Sequence, residues 1–163
     1  MDRNLFASTY ELMRHSLMVL LLGLLAGLGL AFSINGVVGI PPIPITWEYT
    51  MAAEPRAWRS AHVGSITNGL MGLLLAILIP FMGLTAKAIQ RISLGTIIVI
   101  WGNLVFYIAA LWAPNRGLSY TDTDAGPGNL AGIIAYIPAI TAAGLLIGIV
   151  LYLILAIPRQ SDL

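Results

Sequence analysis

The sequence predicts an all-α integral membrane protein, a bundle of four antiparallel transmembrane helices in a single domain spanning residues 1–163. Three observations carry that prediction. Only 9% of the residues are charged while 58% are apolar, with a mean hydropathy of +0.89. A soluble domain carries roughly 25% charged residues, so this chain lacks the charge to cover a water-facing surface. Four windows hold no Asp, Glu, Lys or Arg: 16–47, 63–86, 92–115 and 125–158. A spanning helix needs about 20 apolar residues, and each window is long enough to hold one. Finally, no water is available in a bilayer core, so backbone groups there must pair within their own segment, which selects helices.

The helices are expected at 14–34, 60–85, 90–112 and 129–157. Arg3 and Arg14 precede the first apolar run as in a cleaved leader. That run is longer than the roughly 7–15 residues of a leader core, and three spans follow, so a retained helix is expected. The 35–59 connection is rich in proline, with Pro41, Pro42, Pro44 and Pro55 forbidding a continuous helix. It reads as a lid over the membrane surface or as a plain tether, with Trp47, Tyr49 and Trp58 suited to the headgroup level. The short 86–91 turn pairs helices two and three as an antiparallel hairpin. The 113–128 connection is polar and turn-rich and belongs on the same side as the first loop.

Lys and Arg set the orientation. Arg3, Arg14, Lys87, Arg91 and Arg159 fall on one side; Arg56, Arg59 and Arg116 fall on the other. Both termini are therefore expected in the cytoplasm, with the chain multi-pass in a bacterial inner membrane. The net charge of +1 and the lack of basic runs give no reason to expect nucleic acid. With no cysteine, disulfides, iron–sulfur clusters and thiolate sites are excluded.

The polar residues of the spans are clustered. His62, Ser65 and Asn68 occupy the first turns of the second helix; Asn103 and Tyr107 occupy the last turns of the third, before Arg116. In an antiparallel pair these ends are neighbours, so two segments place polar groups at one depth. Asn103 and Tyr107 are four apart and share a helix side. Ser65, Gly69 and Gly72 form a small-residue stripe that admits a helix or a flat cofactor close to the backbone. Singly, each residue has a plainer role: an interfacial hydrogen bond for His62, interhelical contacts for the two asparagines, a belt position for Tyr107, a rim charge for Arg116. Their co-location favours a site. No carboxylate lies within a span, which disfavours proton pumping, and one histidine cannot build a zinc site. A single histidine can hold haem from one side. His15 begins the first helix on the opposite side, so two-histidine ligation within one subunit is not expected.

The runs AWRSAHVGSITNGLM (57–71), WGNLVFY (101–107), APNRGL (113–118) and AGPGN (125–129), in this order, resemble the styrene-oxide isomerases, small four-helix membrane enzymes of bacterial styrene degradation. The resemblance spans the chain and includes His15. It implies a haem b isomerase, working as a homotrimer with haem near subunit interfaces, that turns styrene oxide into phenylacetaldehyde. Carried over by position, it makes His62 the axial ligand of ferric haem b and places Asn68 and Tyr107 at the epoxide. Asn103 and Ser65 are expected to line the substrate site, and Arg116 to meet a haem propionate. One departure is visible: the family carries an aspartate eight residues before the tyrosine, where this chain has Val99. The residues alone leave two other functions open, a haem-binding electron carrier or sensor and a haem-free bundle.

Overall fold

A computed structural model describes residues 3–39, 42–51 and 53–156, the side chains from Ala7 onward. Four helices dominate it: α1 (Arg3–Asn35), α2 (Pro55–Leu78), α3 (Ala86–Ala109) and α4 (Leu130–Ala156). All four are long and apolar enough to cross a membrane. The chain is a multi-pass membrane protein.

Local chemistry explains most boundaries. Pro55 occupies the first turn of α2, where its missing N–H costs nothing. Pro80 cannot continue the ladder, and α2 tightens into a 3₁₀ turn at Ile79–Phe81. Gly83 then reverses the chain at φ 67°. Thr85 caps α3 by accepting the Ala88 N–H through its hydroxyl at 3.3 Å. Asn129 does the same for α4, accepting from Gly132 at 2.8 Å.

The helices follow in the expected antiparallel up-and-down order, with four differences from the sequence reading. α2 begins at Pro55 rather than at residue 60, because a proline in the first turn opens a helix instead of breaking it. α1 begins at Arg3 rather than at residue 14. The charged turns before the apolar run stay helical because Thr9 and Leu12 are buried in the packing. The turn between α2 and α3 falls at 82–85, which puts Lys87 and Arg91 inside α3. The first connection contains a small antiparallel hairpin, β1 (Val37–Gly39) with β2 (Thr46–Glu48), in the register Val38↔Trp47. Pro42 and Pro44 sit between its strands, where no ladder donor is needed. Pro41, Arg159 and residue 157, the expected end of the fourth helix, lie outside the described residues. Trp58 is half-buried against Gly29 of α1 and donates to the Tyr49 hydroxyl at 2.6 Å.

Small residues let α1 and α2 meet almost backbone to backbone. A Cβ on Gly69 would lie 2.9 Å from the Ser16 carbonyl oxygen, and one on Gly23 would lie 2.8 Å from the Ile66 nitrogen. The 113–128 connection is built around Asn115, which is fully buried. Its amide donates to the Ser119 and Thr121 carbonyls at 2.8 and 3.2 Å and accepts the Gly117 N–H at 3.1 Å. Asn115→Ala orphans these groups at about 1–3 kcal/mol each, and should visibly lower the thermal unfolding midpoint in detergent. An unchanged midpoint would show that the loop does not depend on this residue.

Candidate active site

His62 projects from the second turn of α2 toward α1. Its Nδ1 lies 2.8 Å from the Gly23 carbonyl oxygen. A carbonyl only accepts, so Nδ1 carries a hydrogen, and in the neutral ring that leaves the lone pair on Nε2. Gly27, one turn along α1, makes the room: a Cβ there would lie 2.8 Å from the imidazole. His15 sits well inside α1 rather than at its start, because the helix begins earlier. Its Nδ1 lies 3.0 Å from the indole nitrogen of Trp101. Indole only donates, so here Nδ1 accepts and Nε2 holds the hydrogen. The two histidines are fixed as opposite tautomers, and only His62 offers the free Nε2 of a ligand.

On the other flank of α2, α3 delivers Asn103 and Tyr107 to Asn68 of α2. Asn103 donates to Asn68 Oδ1 at 2.7 Å, and Asn68 Nδ2 donates to the Gly64 carbonyl at 2.8 Å. The Tyr107 ring lies on the bare Cα of Gly64, where any Cβ would overlap it, and its hydroxyl reaches the Asn68 side chain. The ends of α2 and α3 thus meet at one depth, as the antiparallel hairpin requires.

A cavity of about 530 Å³ opens beside Tyr107. Phe106, Ala110, Leu111 and Trp112 form its apolar wall, and Glu54, Arg56 and Arg116 its charged rim. Arg116 is held in a left-handed turn at φ 61°, its N–H donating to the Ala113 carbonyl at 2.8 Å. Both long connections meet at this rim, but the β1–β2 hairpin does not line the cavity. Ser65 lies elsewhere, buried in the α1–α2 seam against Gly23, its hydroxyl without a partner among the described residues.

The structure therefore gathers Asn68, Asn103 and Tyr107, sets Arg116 at the adjoining rim, and separates His62 and Ser65 from them. Residues two apart on a helix face nearly opposite ways, which is why His62 and the Gly64–Tyr107 contact occupy different flanks. Among the described residues, no three His, Asp or Glu side chains gather into a metal-ion ligand set. Val99 is fully buried in an aliphatic cluster with Ile79, Ile89, Ile92, Ala142 and Ile149. The sequence reading missed the glycines that seat the functional rings. Gly23 and Gly27 at a spacing of four, opposite a histidine, were the available signal.

Comparison with known proteins decides the family. A family model for styrene oxide isomerase matches residues 8–158, from the first helix through the last. The chain belongs to the styrene oxide isomerase family. It is 33% identical over 127 residues to the styrene-oxide isomerase of Pseudomonas fluorescens, covering 77% of this chain and 73% of that one. As a styrene oxide isomerase family member the chain is an isomerase, and His62, Ser65, Asn68, Asn103, Tyr107 and Arg116 all fall within the matched segment.

Proposed function

We propose that this chain is a haem b-dependent isomerase that converts a small aryl epoxide of the styrene oxide type into the corresponding aldehyde. The observation that carries the reading is the state of His62. The Gly23 carbonyl holds Nδ1–H, so in the neutral ring Nε2 is free, and His62 would hold haem b through that nitrogen. Ferric haem b, bound there, supplies Lewis acidity toward an epoxide oxygen.

The chain's own residues supply the rest. Tyr107 donates its hydroxyl hydrogen to the substrate oxygen as negative charge builds on it. Asn68 supports the phenol with the amide hydrogen that Gly64 leaves free. The benzylic C–O bond opens, a hydride moves to the adjacent carbon and a carbonyl forms, so no atom enters or leaves. The wall of Phe106, Leu111 and Trp112 offers the aryl group an apolar surface, and less water at the opening epoxide means less diol. Arg116, exposed at the rim, is placed to meet a carboxylate such as a haem propionate.

The opposite flanks of His62 and Tyr107 support assembly as a closed ring, a homotrimer in line with the resemblance, in which the His62 side of one copy meets the Tyr107 side of the next. Coexpressed His62→Ala and Tyr107→Phe copies should then regain activity that neither has alone; no recovery would place both residues of a site in one copy. The excess of Lys and Arg at the ends of α1 and α3 supports cytoplasmic termini in a bacterial inner membrane.

The decisive experiment is purification from haem-replete cells. A Soret band and aldehyde formation from styrene oxide are expected, and a colourless protein that still isomerises would overturn the haem reading. Gly27→Val pushes the imidazole off its seat and should weaken haem retention about 10- to 100-fold, the usual cost of disturbing a ligand's support. Unchanged retention would show that the seat does not matter.

A further inference from the structure

We infer that Asn103 is a positioning residue for Tyr107, acting through the Asn68 amide rather than touching substrate. The inference rests on the reading of Tyr107 as the donor to the epoxide oxygen.

The argument is one of donors and acceptors. The Gly64 carbonyl can only accept, so the Asn68 atom 2.8 Å from it must be Nδ2. That choice turns Oδ1 toward α3, where Asn103 Nδ2 donates to it at 2.7 Å. The Gly64 carbonyl thus fixes the Asn68 amide, and Asn103, facing Oδ1, must present its own nitrogen. A flipped amide would set oxygen against the Gly64 carbonyl and nitrogen against the Asn103 nitrogen. Asn68 then has one hydrogen left. Tyr107 lies over Gly64, the residue that supplies the anchoring carbonyl, and one helical turn beyond Asn103 on the same side of α3. The remaining hydrogen is thereby available to the phenol oxygen. A phenol oxygen that accepts keeps its own hydrogen free to give away, and hydrogen bonds in such a chain strengthen one another in an apolar setting. Asn103 is the start of that chain. Asn68 is buried, so little competing water reaches the amide.

The test combines kinetics with a phenol-specific signal. Asn103→Leu keeps the side-chain size and removes the donor. Its kcat for styrene oxide is expected to fall about 10-fold with little change in KM, the loss of one supporting hydrogen bond worth about 1.4 kcal/mol. In a Tyr107→Phe background the same change should have almost no further effect, because the hydroxyl it serves is gone. The tyrosine Raman doublet, taken as the difference from Tyr107→Phe, should move toward a less hydrogen-bonded phenol in Asn103→Leu. Asn103→Gln, which keeps an amide donor, should restore part of both signals. If the two substitutions add fully, or the doublet stays put in folded Asn103→Leu, the inference is wrong. If Asn103→Leu does not fold, the smaller Asn103→Ala, which also lacks the donor, decides instead: a doublet and kcat at wild-type values would overturn the inference. Failure of the underlying reading looks different, since Tyr107→Phe alone would then leave kcat intact.

Discussion

Purified His62→Ala is expected to lose its Soret band and to isomerise styrene oxide at least about 10³-fold more slowly than the parent chain, since Lewis-acid assistance contributes several kcal/mol and each 1.36 kcal/mol is tenfold. The structure offers no substitute ligand of the right kind. His15, the other histidine, is tied through Nδ1 to the Trp101 indole and presents a hydrogen, not a lone pair, at Nε2. His15→Ala is therefore the matched control, and its haem content should stay at the parent level. Added imidazole, small enough for the space that His62→Ala opens beside Gly27, should return part of the spectrum. A His62→Ala protein with full haem and full turnover would remove the basis of the proposed mechanism.

Tyr107→Phe should lower kcat by about 10²–10³-fold, the effect of deleting one donor to a developing oxyanion, while KM and haem content change little. The fold should tolerate the change, because the ring keeps its place over Gly64 and only the hydroxyl is lost. Gly64→Val reaches the same functional end by another route. Its side chain would occupy the space of the phenol ring, so it should move both KM and stability where Tyr107→Phe moves neither. A Tyr107→Phe rate within threefold of the parent would assign the donor role elsewhere.

Composition and charge-free windows sufficed for the four spans, because the bilayer makes long apolar helices the only economical answer. They were less informative where packing overrides polarity. The early turns of α1 carry Glu11 and Arg14 yet remain helical around the buried Leu12 and Thr9. The hairpin in the first connection rests on three residue pairs among prolines, too short for a period-two pattern to show. At the site, the meeting of Asn68, Asn103 and Tyr107 followed from antiparallel ends and a spacing of four. The placement of His62 on the far flank did not, although its angle from Gly64 is a matter of counting residues. What no count of residue types could supply is the state of each ring nitrogen, which depends on a carbonyl and an indole drawn from other helices.

Those two partners differ in how easily they can be lost. The acceptor that sets His62 is a main-chain oxygen, which no side-chain exchange deletes outright, although any Cβ at position 23 would press on the Ile66 nitrogen and push α1 off α2. The donor that sets His15 is a side chain, and a single Trp101→Phe exchange removes it. The tautomer of His62 is thus set by the backbone, and that of His15 by one exchangeable side chain. A single exchange at Trp101 therefore releases His15, while the His62 ring keeps its partner as long as α1 and α2 stay in contact.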